Sequence, residues 1–354
     1  ARTVVVGLGR SGIGAARLLQ AEGHQVTVLE RSIESNLQLL AADLRLQGIA
    51  VELGKPLELT SFIPWLDQLD AVVISPGIAW DHPTLSALRQ RGIDIAGEMA
   101  VAWRSLSHLP WIAITGTNGK TTVTHLLNHV LESNGLRAPM GGNVGHAAAE
   151  IALNWRQTKE HPPDWLVMEL SSYQIEAAPE IAPRIGIWTN LTPDHLERHG
   201  TLDAYRKIKR GLLERSEIRI FNGDDPDLRS QRSSWDKGLW VSSEGPGTAN
   251  HPADFWIDAE GMVREPQGRL FAASALAMPG QHNLQNLLMV TAAARQTGLT
   301  AQAIEASLRS FPGVPHRLEP LGQVQGMSVY NDSKATNYDA ASVGLKAVPA
   351  PAVV

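Results

Sequence analysis

The residues best equipped for chemistry lie in Thr115-Gly116-Thr117-Asn118-Gly119-Lys120-Thr121-Thr122. The apolar run Trp111-Ile112-Ala113-Ile114 precedes them and Thr124-His125-Leu126-Leu127 follows, so the pattern predicts strand, loop, helix. Backbone N–H groups of such a loop can cradle phosphate oxygens. Lys120 can reach the β- and γ-phosphates as a point charge, and the Thr121 hydroxyl can ligate Mg²⁺. The general phosphate-loop pattern places another glycine where Ile114 stands, so the strict pattern fails. An ATP site remains the reading of these residues.

A second glycine turn, Gly7-Leu8-Gly9-Arg10-Ser11-Gly12, follows the apolar run Thr3-Val4-Val5-Val6 and opens the helical stretch 15–19. Glu30 ends a second apolar run about 20 residues on, which completes the spacing of a dinucleotide fingerprint. An NAD-dependent oxidoreductase is therefore one reading, and a plain strand-to-helix turn is another. The phosphate loop elsewhere in the chain favours a different nucleotide. Glu169 follows the run Trp165-Leu166-Val167-Met168, at the kind of strand end where an acid suits a hard cation. His195 also follows an apolar strand, where a lone histidine is more often a satisfied polar residue than a ligand. In the helical stretch Tyr205-Arg206-Lys207-Ile208-Lys209 the two lysines are two apart and cannot share a face, so at most one points into a site.

These residues need a scaffold, and 354 residues favour two or three domains. The runs 3–6, 25–29 and 71–74 make the first ~95 residues a small parallel α/β unit, and 111–114, 165–168, 185–188 and 218–221 continue the alternation. Residues 229–270 read as loops and short strands, 283–295 and 301–309 as helices, and Phe311-Pro312-Gly313-Val314-Pro315 as a turn. The last ~40 residues begin a third α/β unit, and Ala352-Val353-Val354 would make a central strand, so the expectation is a truncated third domain. Hydrophobic residues at 43% and charged residues at 19% are ordinary for a globular protein. No apolar run reaches the roughly 18 residues that span a bilayer, so no membrane is expected. A formal charge of −5 argues against general binding of nucleic acid. The absence of cysteine excludes disulfides and thiolate chemistry, and a cytoplasmic protein is expected.

Four motifs, Gly-Thr-Asn-Gly-Lys-Thr-Thr, Glu-Leu-Ser-Ser-Tyr-Gln, Asn-Leu-Thr-Pro-Asp-His-Leu-Glu-Arg-His and Tyr-Arg-Lys-Ile-Lys, resemble in order and spacing those of the Mur ligases. These are ATP-dependent amide-bond ligases. The resemblance implies an α/β fold with a Rossmann-like UDP-binding domain at 1–97, a central phosphate-loop ATPase-like domain at 98–313 and the start of a Rossmann-like amino-acid-binding domain at 314–354. It implies that Gly116 to Thr122 bind ATP, that Lys120, Glu169, His195 and Lys209 are catalytic, and that Lys209, rather than Lys207, carries a carbamate. Thr121 and Glu169 would hold one Mg²⁺, and Glu169, His195 and the modified Lys209 a second.

The closing residues Asn331-Asp332-Ser333-Lys334-Ala335-Thr336-Asn337 resemble the member of the family that adds D-glutamate to UDP-N-acetylmuramoyl-L-alanine through an acyl phosphate. By the same resemblance Arg317 and Asp332 contact ATP, Asn283 and Asn286 lie near adenine, and Lys334 and Thr336 border the glutamate. Arg10, Ser11, Glu30, Ser75, Pro76 and Gly77 would bind the UDP end, Asn143 the muramoyl-peptide portion, and Ser171 would also bind substrate. The expectation is a monomer that binds UDP-substrate but, lacking part of its third domain, turns over little. Another Mur or folylpolyglutamate-type ligase is the alternative of the same class.

Overall fold

A computed structural model describes residues 1–158, 160–336, 338–349 and 351–352. The chain packs as two units, each assembled from separate segments. The first is Ala1–Trp111, Pro139–Pro183 and His195–Arg215, and the second is Ile112–Ala138, Arg184–Asp194 and Ser216–Val354.

In the first unit, valine-rich strands form a five-stranded parallel sheet in the order Ala50–Leu53, Gln25–Glu30, Arg2–Val6, Ala71–Ile74, Asp94–Gly97. Val4, Val5, Val28 and Val72 are fully buried, as expected of strands covered on both faces. Helix Arg10–Ala21, longer than the predicted 15–19, buries Ala15, Ala16, Leu18 and Leu19. Strand order reverses between Arg2–Val6 and Ala71–Ile74, and a crevice opens beyond the strand ends at such a switch point. The predicted turns Gly7 to Gly12 and Ser75 to Gly77 are the continuations of these two strands, and the Ser75 hydroxyl donates to the Val6 carbonyl at 3.0 Å. Within the same unit Met140–Gly142 pairs in parallel with Leu166–Glu169, so Glu169 is itself the last strand residue.

In the second unit the strands run in the order Gly268–Ala272, Met262–Glu265, Phe255–Ile257, Leu239–Ser242, Ile218–Asn222, Ile185–Trp188, Trp111–Thr115. Pairing is parallel from Phe255–Ile257 onward and antiparallel at the first two. The stretch 229–270 thus contributes four sheet strands, none longer than five residues, which is why its periodicity is faint. Helices Gln281–Gln296 and Ala301–Arg309 lie where the sequence predicts them. Beyond the 311–315 turn, Glu319–Val324 and Met327–Asn331 form an antiparallel pair, followed by helix Tyr338–Ala347. Asn337 and the end of the strand expected at 352–354 lie outside the described residues. Among the described residues no helix is long and apolar enough to cross a membrane.

Candidate active site

The phosphate loop belongs to the second unit and is braced before any ligand arrives. Gly116 and Gly119 have φ of +149° and +84°, a region that disfavours side chains. A methyl group at Gly116 would collide with the Thr189 hydroxyl, and one at Gly119 would sit 2.9 Å from Asn286 Oδ1. Asn190 supplies the outer brace: its Oδ1 accepts from the Thr117 and Asn118 amides at 3.1 and 2.8 Å, and its Nδ2 donates to the Asn118 carbonyl at 3.1 Å. Thr189 donates to that same carbonyl at 2.5 Å. The Lys120 ammonium turns back on the loop, donating to the Gly116 and Thr117 carbonyls at 2.9 and 3.0 Å. Thr121 and Thr122 are buried in the first turn of helix Lys120–Glu132, whose N-terminal amides favour an anion.

A cavity of about 460 Å³ opens beside this loop. Of the predicted nucleotide residues it is lined by Asn118, Gly119, Thr122, Asn286, Arg317 and Asp332. Asn283 stands behind, buried, with its Oδ1 accepting from Asn286 Nδ2 at 3.2 Å. Asp332 Oδ1 accepts from the Leu318 amide at 3.1 Å. Lys334 and Thr336 belong to the same unit but do not line the cavity.

Sequence reasoning missed several lining residues. Asn222 donates to the Thr189 carbonyl and to Gln285 Oε1, both at 2.9 Å, and Asp225 accepts from the Leu191 and Leu228 amides at 3.3 and 3.0 Å. Burial pushes the Asp225 carboxyl up to about 6, against the pull of those amides. Burial also lowers His282, with Arg317 beside it acting the same way. The signal for Asn190 and Asn222 was available, since each is a polar residue at or just past the end of an apolar parallel strand.

The first unit carries the remaining predicted residues. Both oxygens of Glu30 accept backbone amides, from Leu8 at 3.0 Å and Ser32 at 2.9 Å, so Glu30 shapes the glycine turn. Arg10 reaches from that turn to the Gly145 carbonyl at 2.6 Å. Ser11 sits in the first helical turn. Pro76 and Gly77 follow Ser75 in the loop beyond Ile74. The Asn143 amide donates to the Glu169 carbonyl at 2.9 Å, and its side chain lies 3.5 Å from Glu169 Oε1. Ser171 caps the helix Ser172–Glu176 in a reciprocal capping box with Gln174.

His195 adopts a left-handed conformation, φ 52°, and its Nδ1 is hydrogen-bonded to the Tyr173 hydroxyl at 3.1 Å. The two lysines separate cleanly. Lys207 is 75% exposed and pairs with Asp203 at 3.1 Å, whereas Lys209 is 1% exposed and its ammonium stands 4.9 Å from the centre of the Tyr205 ring. Glu169 is buried as well. Among the described residues no three His, Asp or Glu side chains converge as a ready cation site.

Two descriptions of known families match this chain. Residues 1–97 match the description "Mur ligase MurD-like, N-terminal domain", and residues 114–294 match "Mur ligase middle domain". A UDP-N-acetylmuramoylalanine--D-glutamate ligase of Prochlorococcus marinus (strain MIT 9313) is 92% identical over 354 residues, covering 100% of this chain and 77% of that protein. A protein of the same description from Synechococcus sp. (strain CC9605) is 66% identical over 353 residues, with the same coverage. Among solved structures, UDP-N-acetylmuramate-alanine ligase MurC from Thermotoga maritima superposes with a TM-score of 0.59 at 22% identity, over 98% of this chain and 77% of that one. At that identity the likeness is one of fold.

Proposed function

This chain belongs to the Mur ligase family, and we propose that it joins D-glutamate to UDP-N-acetylmuramoyl-L-alanine at the expense of ATP, in the assembly of peptidoglycan precursors. The observation that carries this reading is the 92% identity along the whole chain to a relative of that named activity. The phosphate loop and its cavity give the reading its nucleotide site.

The reaction has two steps. A carboxylate oxygen of the alanyl group attacks the γ-phosphorus, a new P–O bond forms as the bond to the β-γ bridging oxygen breaks, and ADP leaves. The D-glutamate amine, after losing a proton, attacks the acyl carbon and displaces phosphate. Two anions must meet in the first step, so most of the work is positioning and charge compensation. Loop amides from Gly116 to Thr122 hold the phosphates, and Lys120 exchanges the Gly116 and Thr117 carbonyls for phosphate oxygens. Asn286, Arg317 and Asp332 hold the nucleoside end, with Asn283 behind Asn286. In the first unit Arg10, Ser11, Glu30, Ser75, Pro76 and Gly77 take the UDP end, Asn143 takes the muramoyl-peptide end, and Ser171 also binds substrate. Lys334 and Thr336 face the amino acid.

The donor set also fits a metal. Thr121 would serve the nucleotide's Mg²⁺, and Glu169, His195 and Lys209 another. A buried ammonium cannot ligate, but a carbamate on Lys209 offers two anionic oxygens where three acidic or histidine ligands are lacking. Bound there, divalent cations would offset the repulsion between substrate carboxylate and triphosphate. We assign residues 1–97, 98–313 and 314–354 to the three domains of the family, acting as a monomer in the cytoplasm. Phosphate release measured with each component omitted tests the reading. Release should require UDP-N-acetylmuramoyl-L-alanine, D-glutamate, ATP and Mg²⁺ together, and equal release with a folate substrate would overturn it.

A further inference from the structure

Arg198 was not singled out by its sequence context, yet it ties together two separate segments of the first unit. It stands three residues after His195, in the short helix Leu196–His199. Its Nη2 donates to the Ile78 carbonyl at 3.1 Å and to Glu176 Oε2 at 3.3 Å. Its guanidinium carbon lies 4.9 Å from the centre of the Tyr173 ring, within cation-π range. The arginine side chain is 15% exposed and that of Glu176 22%, so the pair is largely withdrawn from water. Pairs of this kind are costly to break on one side only.

Each partner has a separate meaning. Ile78 immediately follows Ser75-Pro76-Gly77, the loop at the switch point of the five-stranded sheet. Glu176 closes the helix Ser172–Glu176, whose start is set by the Ser171 capping box. Tyr173, on that helix, is hydrogen-bonded to Nδ1 of His195. If Nδ1 carries the proton and donates to the Tyr173 oxygen, Nε2 presents its lone pair, the arrangement usual for a ligating imidazole held by an outer partner. Only a planar guanidinium can stack on a ring while its edge donates to a carbonyl and a carboxylate, so lysine is no substitute.

We propose that Arg198 is a positioning residue. By joining the Ile78 carbonyl, the Glu176 carboxylate and the Tyr173 face it fixes the His195 ring with Nε2 presented, in register with the loop that takes the UDP end of the substrate. The inference rests on the reading of His195 as a cation ligand.

The test compares wild type with Arg198→Met, Tyr173→Phe, His195→Ala and the surface control Arg17→Ala, whose pairing with Asp43 lies at the exposed edge of the first unit. Two readouts are taken: the His195 tautomer from ¹⁵N-histidine NMR without metal, and Mn²⁺ affinity by EPR in bicarbonate buffer. Wild type and Arg17→Ala should show one tautomer, protonated on Nδ1. Arg198→Met and Tyr173→Phe should show a mixture and bind Mn²⁺ about 10–100-fold more weakly, the usual cost of losing an outer partner. A merely structural arginine would lower the melting temperature and leave the tautomer and the affinity alone, which overturns the proposal. Should Arg198→Met not fold, Arg198→Lys decides by the same readouts, because it keeps the charge and loses only the planar fork. If His195→Ala alone weakens Mn²⁺, the ligand reading stands and the Arg198 proposal fails. If not even His195→Ala does, the ligand reading fails and the proposal with it.

Discussion

In the phosphate loop, Thr117, Asn118 and Lys120 brace one another with help from Thr189 and Asn190, which follow a neighbouring strand. Around Lys209 the arrangement is mostly not local. Tyr173, His195, Arg198 and Tyr205 reach that region from a separate helix, a left-handed residue, a four-residue helix and the lysine's own helix. The first arrangement is fixed by the backbone, with glycines at positive φ and loop amides held by Asn190. The second depends on which side chains are buried together, so it should yield more readily to remote changes and to the chemical state of a single amine.

The largest effect expected from breaking that contrast is at Lys120. Lys120→Ala removes the one mobile charge of the loop and should lower ATP-dependent phosphate release by about 10²–10³-fold or more, with the fold intact by circular dichroism. Lys209→Met should cost at least about 10²-fold, and here the regions diverge. Carbon dioxide-free buffer should depress the wild type, bicarbonate should restore it, and neither should affect Lys209→Met. Sensitivity to bicarbonate in Lys209→Met, or none in the wild type, would erase the distinction.

Gly116→Ala tests the backbone side of the comparison. Its added methyl meets the Thr189 hydroxyl at a φ that L-residues rarely adopt, so thermal unfolding should show a loss of about 1–3 kcal/mol.

The smallest effect concerns pH. Burial pushes Glu98, which accepts the Ala149 amide at 2.6 Å, up to about 7 from 4.5. The folded state then keeps a proton that the unfolded chain has released. The contribution is complete below pH 4.5 and is lost as pH rises through 7, to a limit of about 3 kcal/mol. Glu98→Gln should make the fall in chemical-denaturation stability between about pH 5 and 8 shallower, with Asp225, pushed up to about 6 in the second unit, contributing to the fall that remains. An unchanged slope in Glu98→Gln would assign the dependence elsewhere.

The same contrast explains how much the sequence revealed. The phosphate loop was legible because strand, glycines, lysine and helix are contiguous, and three of the five parallel strands of the first unit because their valine runs alternate with helical stretches, whereas the short strands Ala50–Leu53 and Asp94–Gly97 carry too few apolar residues to read. The turn Gly7 to Gly12 was misleading in isolation. Its spacing to Glu30 argues for a dinucleotide, yet the Glu30 carboxylate accepts the Leu8 and Ser32 amides, and the chain belongs to a ligase family. Spacing could say that Lys207 and Lys209 face different ways but not which one is buried, because that depends on how a helix of one segment packs against others. The contacts of Arg198 and Glu98 were not legible for the same reason. Their partners lie 22 or more residues away.

The account turns on Lys209, the buried amine that would become a ligand. Mass spectrometry of the native protein after alkylative trapping of carbamates examines it directly. The account predicts one trapped carbamate, mapped to Lys209 and absent from Lys207. A carbamate on Lys207, or none on Lys209 in bicarbonate-saturated buffer, would contradict it.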